Sequence, residues 1–284
     1  MAPEATTEVT SEQSTLETVF KSLKVECSNH IAEVVLLGPG PGNAMGPEFW
    51  QEFPVAISEL SRDKSVRAII IKGSGKHFCS GLDLAKMMPV LAKSGKMLGE
   101  ERSELLRLIV SMQDAISSVE NCAKPVIASI HGACIGAGVD LIAACDIRIC
   151  SSDARFSVRE VKVAIVADLG SLQRLPHIIG EGRTRELAFT GKDIQADEAM
   201  RIGLVTHVFN DIESLDTGAR KLAVEIAENP PLVVAGVKKI LNESRDQSVA
   251  AGLQNVAVWN SAFLHSAELE EAITAFMQKR QAKF

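Results

Sequence analysis

Several familiar signatures are missing from this chain. The six cysteines, Cys27, Cys79, Cys122, Cys134, Cys145 and Cys150, form no CxxC pair, which removes the usual spacing of a zinc ligand set or a dithiol redox centre. They lie mostly among apolar residues and read as reduced core thiols. The six histidines show neither HExxH nor HxH, and no metal site is expected. Neither GxGxxG nor GxxxxGK followed by Ser or Thr occurs, so a dinucleotide or P-loop reading has no support. An excess of positive charge is also absent: 30 Lys and Arg stand against 36 Asp and Glu, a net charge of −6. Nothing in that balance attracts nucleic acid or an anionic membrane surface. The first basic residue is Lys21, after four glutamates, so the start has the form of neither a secretory signal nor an Arg-rich transit peptide. The stretch from Val126 to Cys145 is long enough to imitate a membrane span, but Gly132, Gly136 and Gly138 interrupt it, and His131 and Asp140 would lie in lipid.

What is present is an α/β pattern. A polar leader is expected over residues 1–17, then a hairpin of two strands between Leu23 and Leu37 turned at Ser28-Asn29. Pro47 stands at a plausible first helical position, and Phe49, Phe53, Ile57 and Leu60 follow at helical spacing. Val66 to Lys72 reads as a strand buried on both faces. The loop GSGKHFCSGLDL, 73–84, can turn backbone N–H groups toward a ligand, and residues 85–102 read as an irregular lid. A helix carrying Leu105, Leu108, Ile109, Met112, Ala115, Ile116 and Val119 precedes the central stretch KPVIASIHGACIGAGVDLIAACDIRIC, 124–150. That stretch reads as strand to Ile130, HGACIG as a turn, helix from Ala137 to Cys145, then strand. Its one charge amid the apolar run, Asp140, is costly to bury without partners. Two further acids, Glu160 and Asp168, follow among small and apolar residues. Short helices broken near Pro176 and Gly180 come next, and from about Leu215 the chain is helical, with a break at Pro230-Pro231. No internal repeat is evident.

Taken in order, HFCSGLDL, the 124–149 stretch, the Glu160 region, LQRLPHIIG, ADEAMRIGLVTHV and the closing AFMQKR resemble the enoyl-CoA hydratase/isomerase (crotonase) superfamily. The resemblance spans roughly residues 20–284 and implies a crotonase-like α/β fold. In that fold, repeated β-β-α units form two roughly perpendicular sheets, with a core domain over 18–214 and a C-terminal helical trimerisation region over 215–284. A homotrimer or homohexamer, an acyl-CoA thioester substrate and no separate cofactor are implied with it, since coenzyme A is part of the substrate.

The family stabilises a thioester enolate with two backbone N–H groups, which the resemblance places at Leu82, in CSGLD, and Ala137, in GAG. Preorganised donors of this kind contribute about 2.7–4 kcal/mol each in the transition state. Many relatives carry glycine at the position of Ala137. Ser80, Gly81, Leu82, Asp83, Leu84 and Ala137 are implied in substrate binding, and Phe276 and Lys279 in holding the nucleotide, in some relatives from a neighbouring subunit. Hydratases of the family use glutamates at the positions of Asp140 and Glu160. The present trio of Asp140, Glu160 and Asp168 is instead similar to members that convert 3,5-dienoyl-CoA to 2,4-dienoyl-CoA in fatty acid β-oxidation. Such a 1,5 proton shift takes a proton from C2 and delivers one to C6, too far apart for one carboxylate. Glu160 and Asp168 form the implied pair, with Asp140 tuning them. A 2-enoyl-CoA hydratase, a 3,2-enoyl-CoA isomerase and a non-catalytic acyl-CoA-binding or protein-binding member are the alternatives. The ending AKF is similar to a peroxisomal address of the SKL kind. Peroxisome is therefore the expected location, with mitochondrion as the alternative.

Overall fold

The computed structural model describes residues 19–91 and 99–284. The expected leader, and residues 92–98 of the expected lid, lie outside the described residues. The chain enters through an antiparallel hairpin, β1 (Leu23–Ser28) and β2 (Ile31–Leu36). Its turn is Asn29-His30, both left-handed, one residue later than the sequence suggests. That handedness matches the twist of the flanking strands. Helix α1 (Pro47–Arg62) begins at Pro47 as expected and buries Phe49, Phe53, Ile57 and Leu60. β3 (Ala68–Gly73), α2 (Leu84–Leu91) and α3 (Gly99–Asn121) follow. The described parts of the expected lid are therefore helical, because Leu84, Met87 and Met88 give α2 an apolar stripe at helical spacing.

The central stretch forms β4 (Val126–Ile130), β5 (Ala133–Ile135), α4 (Ala137–Ala144) and β6 (Ile147–Ser151). HGACIG is thus not a simple turn. After β7 (Arg155–Ser157) and a 3-10 turn over Glu160–Val163 come α5 (Ser171–Ile179) and α6 (Glu181–Thr190). These two helices part at Gly180 alone, since Pro176 is carried inside α5. The chain continues through β8 (Ile194–Gln195), α7 (Ala196–Arg201), β9 (His207–Phe209) and α8 (Ile212–Ala227). It closes with α9 (Pro231–Glu243), α10 (Val249–Phe263) and α11 (Ala267–Gln278).

Six strands pair in the order β1-β2-β3-β4-β6-β9, parallel from β2 onward, and three in the order β5-β7-β8. Both faces of the larger sheet are covered. Ile69 and Ile71 of β3 face a core that includes residues of α1, α3 and α4, whereas Ile70 joins Leu215, Ala219 and Ala223 of α8 on the other face. This explains why the parallel strands read as unbroken apolar runs. The arrangement also has a recurrence that the residue pattern conceals. β4 leads to β5 and α4, β6 leads to β7 and then α5, and β3 leads through an extended bridge at Cys79, paired with Cys134, to α2. Each unit is a long strand, a short strand of the second layer, and a helix. The chemistry sits where the short strands hand over to their helices.

Candidate active site

Leu82 forms an isolated parallel bridge with Met45. Met45 donates to the Gly81 carbonyl (2.8 Å) and accepts from the Asp83 N–H (3.0 Å). Successive residues of an extended chain turn their N–H groups to opposite sides, so the Leu82 N–H faces away from Met45. Gly81 has φ +91, and a Cβ there would come within 2.8 Å of the Ile135 carbonyl and 3.5 Å of the Ala137 nitrogen. The two stretches meet this closely only because residue 81 has no side chain. Gly136, with φ 55 and ψ −121, opens α4 in a conformation that only glycine adopts readily. The first N–H groups of a helix have no carbonyl one turn earlier to receive them. In α4 the Val139 and Asp140 N–H groups donate to the Gly136 carbonyl, which leaves the Ala137 N–H available to an electron-rich oxygen.

Three acids converge on the same place. Asp140 lies in the first turn of α4 and is 1% exposed. One carboxylate oxygen accepts from the Ser171 N–H at 2.6 Å, and Ser171 is the first residue of α5. The N-terminus of α5 thus points at a buried carboxyl, which favours its negative form. Burial nevertheless pushes Asp140 up to about 6, against the lowering effect of the Ser171 donor. Glu160, at the start of the 3-10 turn, is pushed up to about 7, first by burial and then by the negative charge of Asp140, with which it shares a hydrogen bond. The second Glu160 oxygen is buried and accepts no hydrogen bond. Asp168 is half-buried, and burial raises it above the usual aspartate range.

These groups line one cavity of about 400 Å³. Its wall holds Ser80, Gly81, Leu82, Gly136 and Ala137 together with Asp140, Glu160 and Asp168. The remainder is mostly apolar, from Leu84 and Met88 of α2, Leu105, Ile109 and Met112 of α3, and Val163 and Ile165. The cavity can hold an acyl chain, polarise a carbonyl oxygen at two N–H groups and move protons on the carbon skeleton between carboxyls.

The structure brings together both expected N–H donors, all three acids, Ser80, Gly81 and Leu84. Asp83 is not in the cavity wall: its side chain accepts from the Lys86 N–H (3.2 Å) at the start of α2, so it serves that helix. Phe276, 83% exposed on α11, and Lys279, just beyond its end, also lie outside the cavity wall of the single chain. Two contributors had no sequence signal. Arg159 lines the cavity while its guanidinium is held by Ser157 and Asp193. Gln113 of α3 donates to the Asp168 carbonyl (2.7 Å) and fixes that residue from behind. Among the described residues no helix is long and apolar enough to cross a membrane.

Comparison with known proteins finds relatives over most of the chain. Residues 26–284 match the family described as Enoyl-CoA hydratase/isomerase. The chain is 47% identical over 270 residues to a protein from Arabidopsis thaliana named Delta(3,5)-Delta(2,4)-dienoyl-CoA isomerase, peroxisomal, covering 93% of this chain and 97% of that protein. It is 45% identical to a protein of the same name, mitochondrial, from Dictyostelium discoideum, covering 94% and 92%. The human mitochondrial protein of that name is 42% identical, covering 93% and 81%. Among solved structures, an enoyl-CoA hydratase from Bacillus anthracis superposes with a TM-score of 0.84 at 28% identity, covering 93% of this chain and 99% of the other.

Proposed function

This chain belongs to the enoyl-CoA hydratase/isomerase family, and on that premise we propose that it converts 3,5-dienoyl-CoA to 2,4-dienoyl-CoA in fatty acid β-oxidation. The observation that carries the reading is Asp168, a third acid in the wall of the cavity that holds Asp140 and Glu160. A hydratase needs two carboxyls around one water; a 1,5 proton shift needs two carboxyls at separated carbons.

The thioester oxygen sits at the N–H groups of Leu82 and Ala137, which stabilise the negative charge that develops there when C2 loses a proton. C2 is bonded to that carbonyl carbon, so the acid nearest the N–H pair acts on it. Glu160 fits that role: one oxygen lies 3.4 Å from where a Cβ would stand on Gly136, the residue before Ala137. Its affinity for a proton, near 7, suits a general base working around neutrality. The resulting dienolate spreads its charge to C6, where Asp168 supplies a proton. Asp140, held by α5, keeps the proton affinity of Glu160 high through its charge and hydrogen bond. No cofactor enters these steps, and coenzyme A is part of the substrate.

The working protein is a homotrimer or homohexamer in which Phe276 and Lys279 of α11 reach the nucleotide of a neighbouring subunit. The enzyme works in the peroxisome, or alternatively in the mitochondrion, and a fluorescent fusion scored against markers of both compartments checks this. The activity itself is tested by offering purified protein 3,5-dienoyl-CoA and 2-enoyl-CoA in parallel. Conversion of the first to the 2,4-diene is expected; hydration of the second with no isomerisation overturns the reading.

A further inference from the structure

A second cavity, about 700 Å³ and polar, lies behind the catalytic one. Its wall includes Gln113, Glu120, Arg174, His177, Arg245 and Asp246. His177, Arg245 and Asp246 are exposed, so it reaches the molecular surface. Its size and lining suit water, which needs several polar partners and only a fraction of this volume per molecule. Asp168, with the neighbouring Leu169, lines both cavities, whereas Asp140 and Glu160 line only the catalytic one. Gln113, from the wall of the second cavity, grips the Asp168 carbonyl and holds the residue between the two spaces.

Resting on the isomerase reading above, we propose that the second cavity is a proton port, through which Asp168 exchanges its carboxyl proton with bulk water while substrate stays bound. Glu160 lines only the catalytic cavity, which the bound ester fills. The proton it takes from C2 stays on its carboxyl until the bound ester leaves or takes it back. The proton given to C6 leaves Asp168 as the carboxylate, and water reached through the port restores the acid, releasing hydroxide that solvent neutralises. In the reverse direction Asp168 takes a proton from C6, trades it with water, and can return a different one.

Deuterium reports the difference. In D2O the full-length enzyme is given 2,4-dienoyl-CoA in one experiment and 3,5-dienoyl-CoA in another, and the unconverted ester is examined by NMR and mass spectrometry. Deuterium is expected at C6 of the unconverted 2,4-ester ahead of net conversion, with none entering C2 of the unconverted 3,5-ester. Gln173→Trp and His177→Trp place bulk in the outer wall, at residues exposed on α5. Each is expected to lower C6 exchange severalfold while kcat stays near wild type. Exchange at both carbons, at neither, or at C2 alone overturns the port, as does C6 exchange undiminished in two folded variants. The wild-type pattern decides the matter even where a variant fails to fold. A wild-type enzyme that isomerises normally but exchanges otherwise refutes only the port, whereas absence of isomerisation refutes the functional reading itself.

Discussion

At the scale of single residues the site is a problem in sharing few protons among three acids. Burial lifts Asp140 to about 6 and Glu160 to about 7, with Asp168 also raised, and the steps seen in a titration belong to the set. The proposed mechanism requires one carboxyl of the Glu160–Asp168 pair protonated and the other ionised. A plot of kcat/KM against pH is therefore expected to be bell-shaped, falling above about pH 7 as the second proton leaves. Glu160→Gln and Asp168→Asn are each expected to lower kcat by about 10²- to 10⁴-fold; steady-state kinetics with near-normal rates in both would exclude the two-carboxyl mechanism. Asp140→Asn removes a charge that raises Glu160, so its alkaline limb is expected to move to lower pH. The same shifts affect stability. A carboxyl whose folded pKa is raised binds its proton better in the native state. The stability it contributes is complete below its unfolded value near 4.5 and is lost as pH rises through about 7. Thermal melts should show Glu160→Gln more stable than wild type above pH 7, with the difference closing below about pH 4.5.

At the scale of elements, the handover from short strand to helix determines where the acids and donors stand. Gly136 makes the corner between β5 and α4 with a backbone that an alanine accepts only under strain. Gly136→Ala is expected to cost about 1–3 kcal/mol of stability and, by pressing a methyl group toward Glu160, to lower kcat more than it raises KM. Denaturant melts and kinetics on one preparation read both. This scale also explains what was legible beforehand. Most elements of five residues or more announced themselves: α1 by Pro47 and its aromatic spacing, β3 and β4 by β-branched apolar runs, α9 by Pro230 and Pro231 at its start; α2, inside the stretch expected to be an irregular lid, did not. The three-residue β5 was hidden inside HGACIG, since two glycines and a histidine around a short apolar run read as a turn. The repeating unit was expected from the family resemblance alone, since its copies share a path through space and carry no common residue pattern. In the site, acids amid apolar residues stood out as costly, and family resemblance supplied their roles. Gln113 and Arg159 look like ordinary polar side chains in sequence, and only the fold brings Arg159 to the cavity wall and Gln113 to the Asp168 carbonyl.

At the scale of the whole molecule, the C-terminal helices present apolar residues to the outside. Val237 and Leu241 of α9, Leu253 of α10 and Phe276 and Met277 of α11 are each more than half exposed. Large exposed apolar side chains that gather into one surface mark an interface, and the net charge of −6 does little to oppose association at physiological salt. Sedimentation is expected to give three or six times the 30.5 kDa chain mass. Phe276→Asp is expected to shift the distribution toward smaller species and to weaken coenzyme A binding more than it slows chemistry. A monomer in the wild type at micromolar concentration would exclude the shared nucleotide site.

The bridge between Met45 and Leu82 has a consequence for how such enzymes change over time. Because the direction of the Leu82 N–H is dictated by the hydrogen bonds of its neighbours, the side chain at 82 is chemically a bystander. Many residues can occupy that position without disturbing the donor, whereas Gly81 beside it, enclosed by the Ile135 carbonyl, has almost no substitutes. The donor proposed to hold the thioester charge is thus insulated from the drift of its own residue and exposed to any change in the adjacent glycine.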